Sequence, residues 1–147
     1  MQPPPPSVVS TISIEHVTDA VVAASGALRQ ALAQRASTAV AHAFAIAVRE
    51  LATNIQRHGG GGEVQLGMAP GLLWVRALDR GPGIADVESA LRDHWSAGRP
   101  RPLGVAPTDG LGCGLGAVRR LMDGLELHAR DGGGLEVTAW KRIVGPR

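Results

Sequence analysis

The sequence predicts an α+β fold: a two-layer sandwich with one mixed, mostly antiparallel sheet and helices on one face. Two observations point to the sheet. Strand-like alternation occurs in consecutive pairs, and each pair is joined by a short turn, at Pro70-Gly71 and at Asp131 to Gly134. A third points to the second layer: two segments with helical spacing stand between the first strand and the first pair. Regular strand–helix–strand alternation is absent, so a parallel sheet is not expected.

In chain order, residues 1–7 form a Pro-rich tail, expected to stay extended and disordered outside the fold. Val8 to Ile14 alternates and reads as a strand. Thr18 or Asp19 is expected to cap a helix that runs to about Arg35, with Val21, Leu28 and Leu32 marking its apolar face. Ser37 or Thr38 caps a second helix, to about Arg57. Val40, Phe44, Val48, Leu51 and Ile55 recur there at helical spacing and predict a strong buried stripe. Gly59 to Gly62 ends it. Val64 to Met68 and Leu72 to Leu78 are the first hairpin. Asp79 to Gly83 is a loop, and Ile84 to Asp93 a short helix. Residues 94–109, with three prolines and two glycines, read as a lid-like surface loop. A glycine run and a helix from Ala117 to about Asp123 follow. Leu125 to Arg130 and Leu135 to Ile143 make the closing hairpin. Residues 8–147 are thus expected to be a single domain.

Composition narrows the function. A chain of 147 residues, 44% hydrophobic, is long enough for one domain with a real core. The net charge is only +2 and aromatics are 3%, so the basic, aromatic-interleaved surface of a nucleic-acid binder is not expected. One cysteine excludes an internal disulfide and fits a reducing compartment. The start of the chain lacks a signal-peptide pattern, and the longest apolar stretch, Ala36 to Val48, is too short to span a bilayer and contains His42. A cytoplasmic protein without a membrane segment is expected.

Three clusters carry chemistry. Glu50 and Asn54 lie four apart on the second helix, one turn above each other. Such a pair can serve Mg²⁺ with its retained waters, can take a proton from a hydroxyl, or can be a solvated helix end. Asp79 follows an apolar strand and precedes Gly81-Pro-Gly83. Its carboxylate can accept from an exocyclic amine such as adenine's while the glycines admit a flat base; an Asp-x-Gly turn has the same spelling. Gly110, Gly112, Gly114 and Gly116 occur within seven residues just before a helical pattern. Exposed N–H groups and a helix start make a place for phosphates, or a tight turn. Within that run, residues 112–117 spell the dinucleotide fingerprint G-x-G-x-x-A, but the strand that must precede it is missing. Cys113 has no recognisable base nearby, and the histidines show no zinc spacing.

Together and in this order, the clusters resemble the GHKL ATP-binding superfamily of gyrase, the heat-shock chaperone, histidine kinases and the mismatch-repair ATPase. Glu50-Leu-Ala-Thr-Asn54-Ile-Gln-Arg57-His58 is similar to its N box. Asp79-Arg-Gly81-Pro-Gly83 is similar to the first glycine box, and Gly110-Leu-Gly-Cys-Gly-Leu-Gly116 to the second. Within the superfamily, the chain most resembles the anti-sigma-factor serine/threonine kinases of the RsbT-like switch type, over roughly Ile12 to Ile143. The resemblance implies ATP and Mg²⁺ as ligands. Asn54 would hold Mg²⁺ and Asp79 would read the adenine amine. Gly81 and Gly83 would shape the base pocket. Gly110 belongs to the phosphate loop, and Gly112, Gly114, Leu115 and Gly116 would offer N–H groups to the phosphates. Glu50 would be the catalytic base.

The implied substrate is a STAS-domain anti-sigma antagonist of a stress-response partner switch. A sigma factor or a PP2C-type phosphatase are further partners, and dimerisation is left open. A non-catalytic nucleotide-binding switch module is the alternative. Two departures from the family pattern stand out. Arg99-Pro-Arg101-Pro lengthens the 94–109 loop. Leu135 stands where the family has a Thr supporting the adenine-reading Asp, which predicts a loss of about 1 kcal/mol, near fivefold in nucleotide affinity.

Overall fold

The computed structural model describes residues 7–58, 60–81, 95–96, 99–100, 114–131 and 133–143. In chain order the elements are β1 (Ser7–Ile14), α1 (Val17–Ala33), α2 (Thr38–His58), β2 (Gly62–Ala69), β3 (Leu72–Asp79), β4 (Trp95–Ser96), β5 (Arg99–Pro100), α3 (Gly114–Leu121), β6 (Gly124–Ala129) and β7 (Leu135–Arg142). Five strands make one sheet in the order β1-β2-β3-β7-β6, antiparallel at every junction. Both predicted hairpins, β2–β3 and β6–β7, are present. Joining β3 to β7 makes a single sheet of them and puts the β6–β7 turn beside the end of β3.

One register line crosses all five strands: Ile12, Val64, Ala77, Val137 and Leu127. Alternation therefore places every apolar set on the same face of the sheet. The helices cover that face. α2 is central, packed on β1, β2, β3 and β7, with α1 on one flank and α3 on the other. Its stripe of Phe44, Val48, Leu51 and Ile55 is buried, and Val40 packs against the same core. Ser37 is its N-cap: the hydroxyl oxygen accepts from Val40 N–H at 3.1 Å. On the other face of the sheet, Trp74 and Trp140 are cross-strand neighbours with ring centroids 5.4 Å apart.

Two expectations about α1 are corrected. Neither Thr18 nor Asp19 is its N-cap. His16 holds that position, and Asp19 lies three residues inside, where its carboxylate accepts from the N–H groups of Glu15 (2.9 Å) and His16 (2.8 Å). Those bonds draw the Asp19 carboxyl below its usual range. The buried face is also different. Ala20, Ala23, Ala27, Ala31 and Gln30 face inward, whereas Val21 is 52% exposed and Leu32 is 49% exposed; Leu28, half-buried, packs against the core as expected. Alanines let the helix lie close to its neighbours. Gln30 anchors it by donating from Nε2 to the Gly67 carbonyl of β2 at 2.8 Å.

Ser7, placed in the tail by the sequence reading, pairs with Met68 in β1. The helix expected over Ile84 to Asp93, residues 1–6 and most of the 94–109 loop lie outside the described residues; within that loop, β4 and β5 form a two-residue antiparallel ladder. Among the described residues, no helix is long and apolar enough to cross a membrane.

Candidate active site

The site is built from the end of β3. Leu73, Val75 and Ala77 point into the core, so Asp79, next in the same alternation, faces the helix layer. Its Oδ1 accepts two backbone bonds, from Gly81 N–H at 3.1 Å and from Leu135 N–H at 3.0 Å. The main chain of Leu135 thus supplies a donor to Asp79, while its side chain, which cannot donate, is buried in the core.

Sequence reasoning missed what else holds Asp79. Arg130 Nη1 donates to the Asp79 carbonyl oxygen at 2.6 Å. The turn that carries Arg130 is closed by Gly133 N–H to the Arg130 carbonyl and by Arg130 N–H to the Gly134 carbonyl, both 3.1 Å. Gly134 has φ +96°, and a Cβ there would collide with the Asp79 carbonyl oxygen. On the other side, a Cβ at Gly62 would collide with the Leu78 carbonyl. The available signal was the three glycines after Asp131, more than a tight hairpin needs. Gly134→Ala is therefore expected to cost stability by about 1–3 kcal/mol from the positive φ alone, and to displace Asp79. Denaturant unfolding together with nucleotide titration checks both effects.

Glu50 and Asn54 occupy the flank of α2 beside its buried stripe. Glu50 is only 4% exposed, and its Oε2 is buried with no hydrogen-bond partner among the described residues. Burial pushes its carboxyl pKa up, while the charges of Arg57 and Arg49 pull against that shift. Asn54, one turn on, is half-buried. The end of α2 is tied to the end of β3: Arg80 N–H donates to the Gly61 carbonyl at 3.0 Å, and Gly62 pairs with Asp79. The first two clusters are thereby held at one edge of the sandwich.

The third cluster leads into a helix that packs against α2. α3 begins at Gly114, inside the glycine run, rather than at Ala117. Leu115, Val118 and Met122 are buried at helical spacing, and their burial draws the first turn into the helix against α2. Gly114, Leu115 and Gly116 thus supply first-turn N–H groups that lack intrahelical acceptors. Gly83, Gly110, Gly112 and Cys113 lie outside the described residues. The described arrangement joins a fixed carboxylate at a strand end, a buried carboxylate with an amide one turn away, and a helix start. Such a set can bind an amine, a hard cation and an anion.

A helix-covered antiparallel sheet with these groups at one edge is the architecture of an ATPase domain. Residues 13–141 match the Histidine kinase-like ATPase domain family, and the chain belongs to that family. It is 34% identical to Serine/threonine-protein kinase RsbT of Bacillus subtilis (strain 168) over 99 residues, 65% of this chain and 67% of that protein. Among solved structures it is similar to the RsbU and RsbW domains of Rv1364c from Mycobacterium tuberculosis. The TM-score there is 0.61 at 19% identity, over 98% of this chain and 34% of that one, which is a likeness of fold. This chain thus spans about a third of that longer protein.

Proposed function

We propose that the chain is a cytoplasmic Mg-ATP-dependent serine/threonine kinase of a partner switch, acting on a STAS-domain protein. The observation that carries this reading is Glu50, a buried carboxylate whose Oε2 has no partner among the described residues, one turn from the amide of Asn54. Leaving such an atom unpaired is costly unless a bound group completes it. The amide oxygen of Asn54, one helical turn on, fits Mg²⁺, which prefers a few protein oxygens and keeps the rest of its shell for water and phosphate. Bound there, Mg²⁺ would neutralise phosphate charge.

The chain's own groups divide the remaining work. Asp79, pinned through Oδ1, presents Oδ2 to the adenine amine. Gly81 and Gly83 leave room for the base. The N–H groups of Gly114, Leu115 and Gly116 face the phosphates, with Gly110 and Gly112 completing the loop. Glu50 takes the proton from the substrate hydroxyl as that oxygen bonds to the terminal phosphorus and ADP leaves with the bridging oxygen. Its raised pKa makes it a better base near neutral pH. Because phosphoryl transfer relies mostly on positioning and charge stabilisation, these few groups suffice.

The test is incubation with Mg²⁺, ATP labelled on its γ-phosphate, and a STAS-domain protein. Label on a serine or threonine of the acceptor is the expected result. Nucleotide binding without transfer would replace the kinase reading by a non-catalytic switch module. Phosphate release without an acceptor would point to a plain ATPase.

A further inference from the structure

β3 ends at Asp79, and its two sides are held differently there. Toward β2 the pairing runs to the last residue, with Gly62 opposite Asp79. Toward β7 it stops one residue earlier, at Leu78 and Glu136. The Asp79 carbonyl points to that second side, since its oxygen is the atom that a Cβ on Gly134 would strike. It therefore lies just past the end of the β3–β7 ladder. The Arg130 guanidinium takes the place of the next ladder donor, with Nη1 2.6 Å from that oxygen. Arg130 follows β6, so its side chain reaches past the start of β7 to do this. The rest of the turn lies along the same segment: a Cβ on Gly133 would stand 3.5 Å from the Gly81 carbonyl.

We infer that Arg130 is a specificity-determining positioning residue: it sets how strictly Asp79 discriminates between purines, without itself touching the base. This role rests on Asp79 meeting the adenine amine, as proposed above. A hydrogen bond is directional and weakens steeply as it bends, so a carboxylate free to wander accepts less well from the amine. It also rejects the wrong base less well. Guanine presents a carbonyl where adenine presents its amine. Two oxygens brought face to face repel effectively only where neither can turn aside. The bonds from Gly81 and Leu135 fix Asp79 Oδ1, but they leave the main chain that carries it to be fixed elsewhere. The Leu135 side chain, buried in the core, has no donor to offer. The donor comes instead from a residue 51 positions along the chain. A cation suits that task, because a charge-assisted bond is shorter and roughly twice as strong as a neutral one.

The test is titration calorimetry of the full chain with Mg-ATP and with Mg-GTP, comparing wild type, Arg130→Met and Arg130→Lys. Methionine keeps an unbranched apolar stem and loses the donor, whereas lysine keeps a cationic donor. Arg130→Met is expected to bind ATP roughly tenfold more weakly, the worth of one charge-assisted hydrogen bond. Its affinity for GTP is expected to change little, so the preference for ATP falls by the same factor. Arg130→Lys is expected to recover most of that preference. Arg130→Gln, neutral and shorter, reads the same ratio should the methionine chain not fold. Amide hydrogen exchange of the nucleotide-free protein gives a second reading. The Leu135 N–H, which donates to Asp79, is expected to lose protection in Arg130→Met while amides of α2 keep theirs. A wild-type preference in Arg130→Met overturns the inference and leaves the kinase reading standing. So does an equal weakening of ATP and GTP, a preference lost as fully in Arg130→Lys, or exchange that rises alike at Leu135 and in α2. A wild type that binds neither nucleotide overturns the kinase reading and this inference together.

Discussion

Glu50→Gln is expected to lower phosphoryl transfer by about 10²–10⁴-fold, the usual worth of a positioned general base, while nucleotide binding is largely retained. The amide keeps the shape and the buried position but cannot take a proton. The same substitution is expected to stabilise the fold at neutral pH. Burial raises the folded-state pKa of Glu50 above its unfolded value, so the protonated form suits the fold better. The wild type therefore loses stability as pH rises from the ordinary glutamate value of about 4.3 through the raised folded-state value. Glutamine, permanently neutral, does not. Melting curves should show the variant more stable at neutral pH, with the gap closing in acid. Transfer equal to wild type would remove Glu50 from the role of base. A gap that failed to close in acid would mean that the added stability does not come from removing the Glu50 charge.

Asp79→Asn should weaken ATP binding by about 1–3 kcal/mol, roughly fivefold to 150-fold, with the fold intact. The side-chain oxygen of asparagine can still accept from Gly81 and Leu135, so the local framework holds. The other position becomes an N–H₂ group, a donor facing the amine donor of adenine. Guanine presents a carbonyl at the corresponding position, so the variant should lose less affinity for GTP than for ATP, and the ratio of the two should move toward GTP. Titration calorimetry with both nucleotides measures this. An unchanged ratio would mean that Asp79 does not read the purine.

What was legible in the residues was local. The stripe from Val40 to Ile55 is a short-range pattern, and α2 forms where it predicts because one helix face can satisfy it without help. The two hairpins are legible for the same reason, since their turns and flanking alternation are neighbours in the chain. The pairing of Glu50 with Asn54 needs only a helix, and the carboxylate after an apolar strand needs only β3.

The misreadings share one cause. Val21 and Leu32 are more apolar than Ala20, Ala23, Ala27 and Ala31, so periodicity assigns them to the core. The core instead takes the smaller residues, because α1 must lie close enough to β2 for Gln30 to reach the Gly67 carbonyl. The start of α3 was set after the glycines because glycine is a poor helix former, yet the burial of Leu115 and Val118 outweighs that propensity.

By itself, then, the amino-acid order determined the two layers, the hairpin pairs and the three chemical clusters, all products of periodicity and turn chemistry within a few residues. Only the tertiary structure decided that β3 lies beside β7, so that residues 56 positions apart in the chain, Asp79 and Leu135, share a hydrogen bond. It also decided which side of α1 meets the sheet. Both outcomes depend on how closely distant segments can approach, and that distance is set by the volumes of all the side chains packed between them.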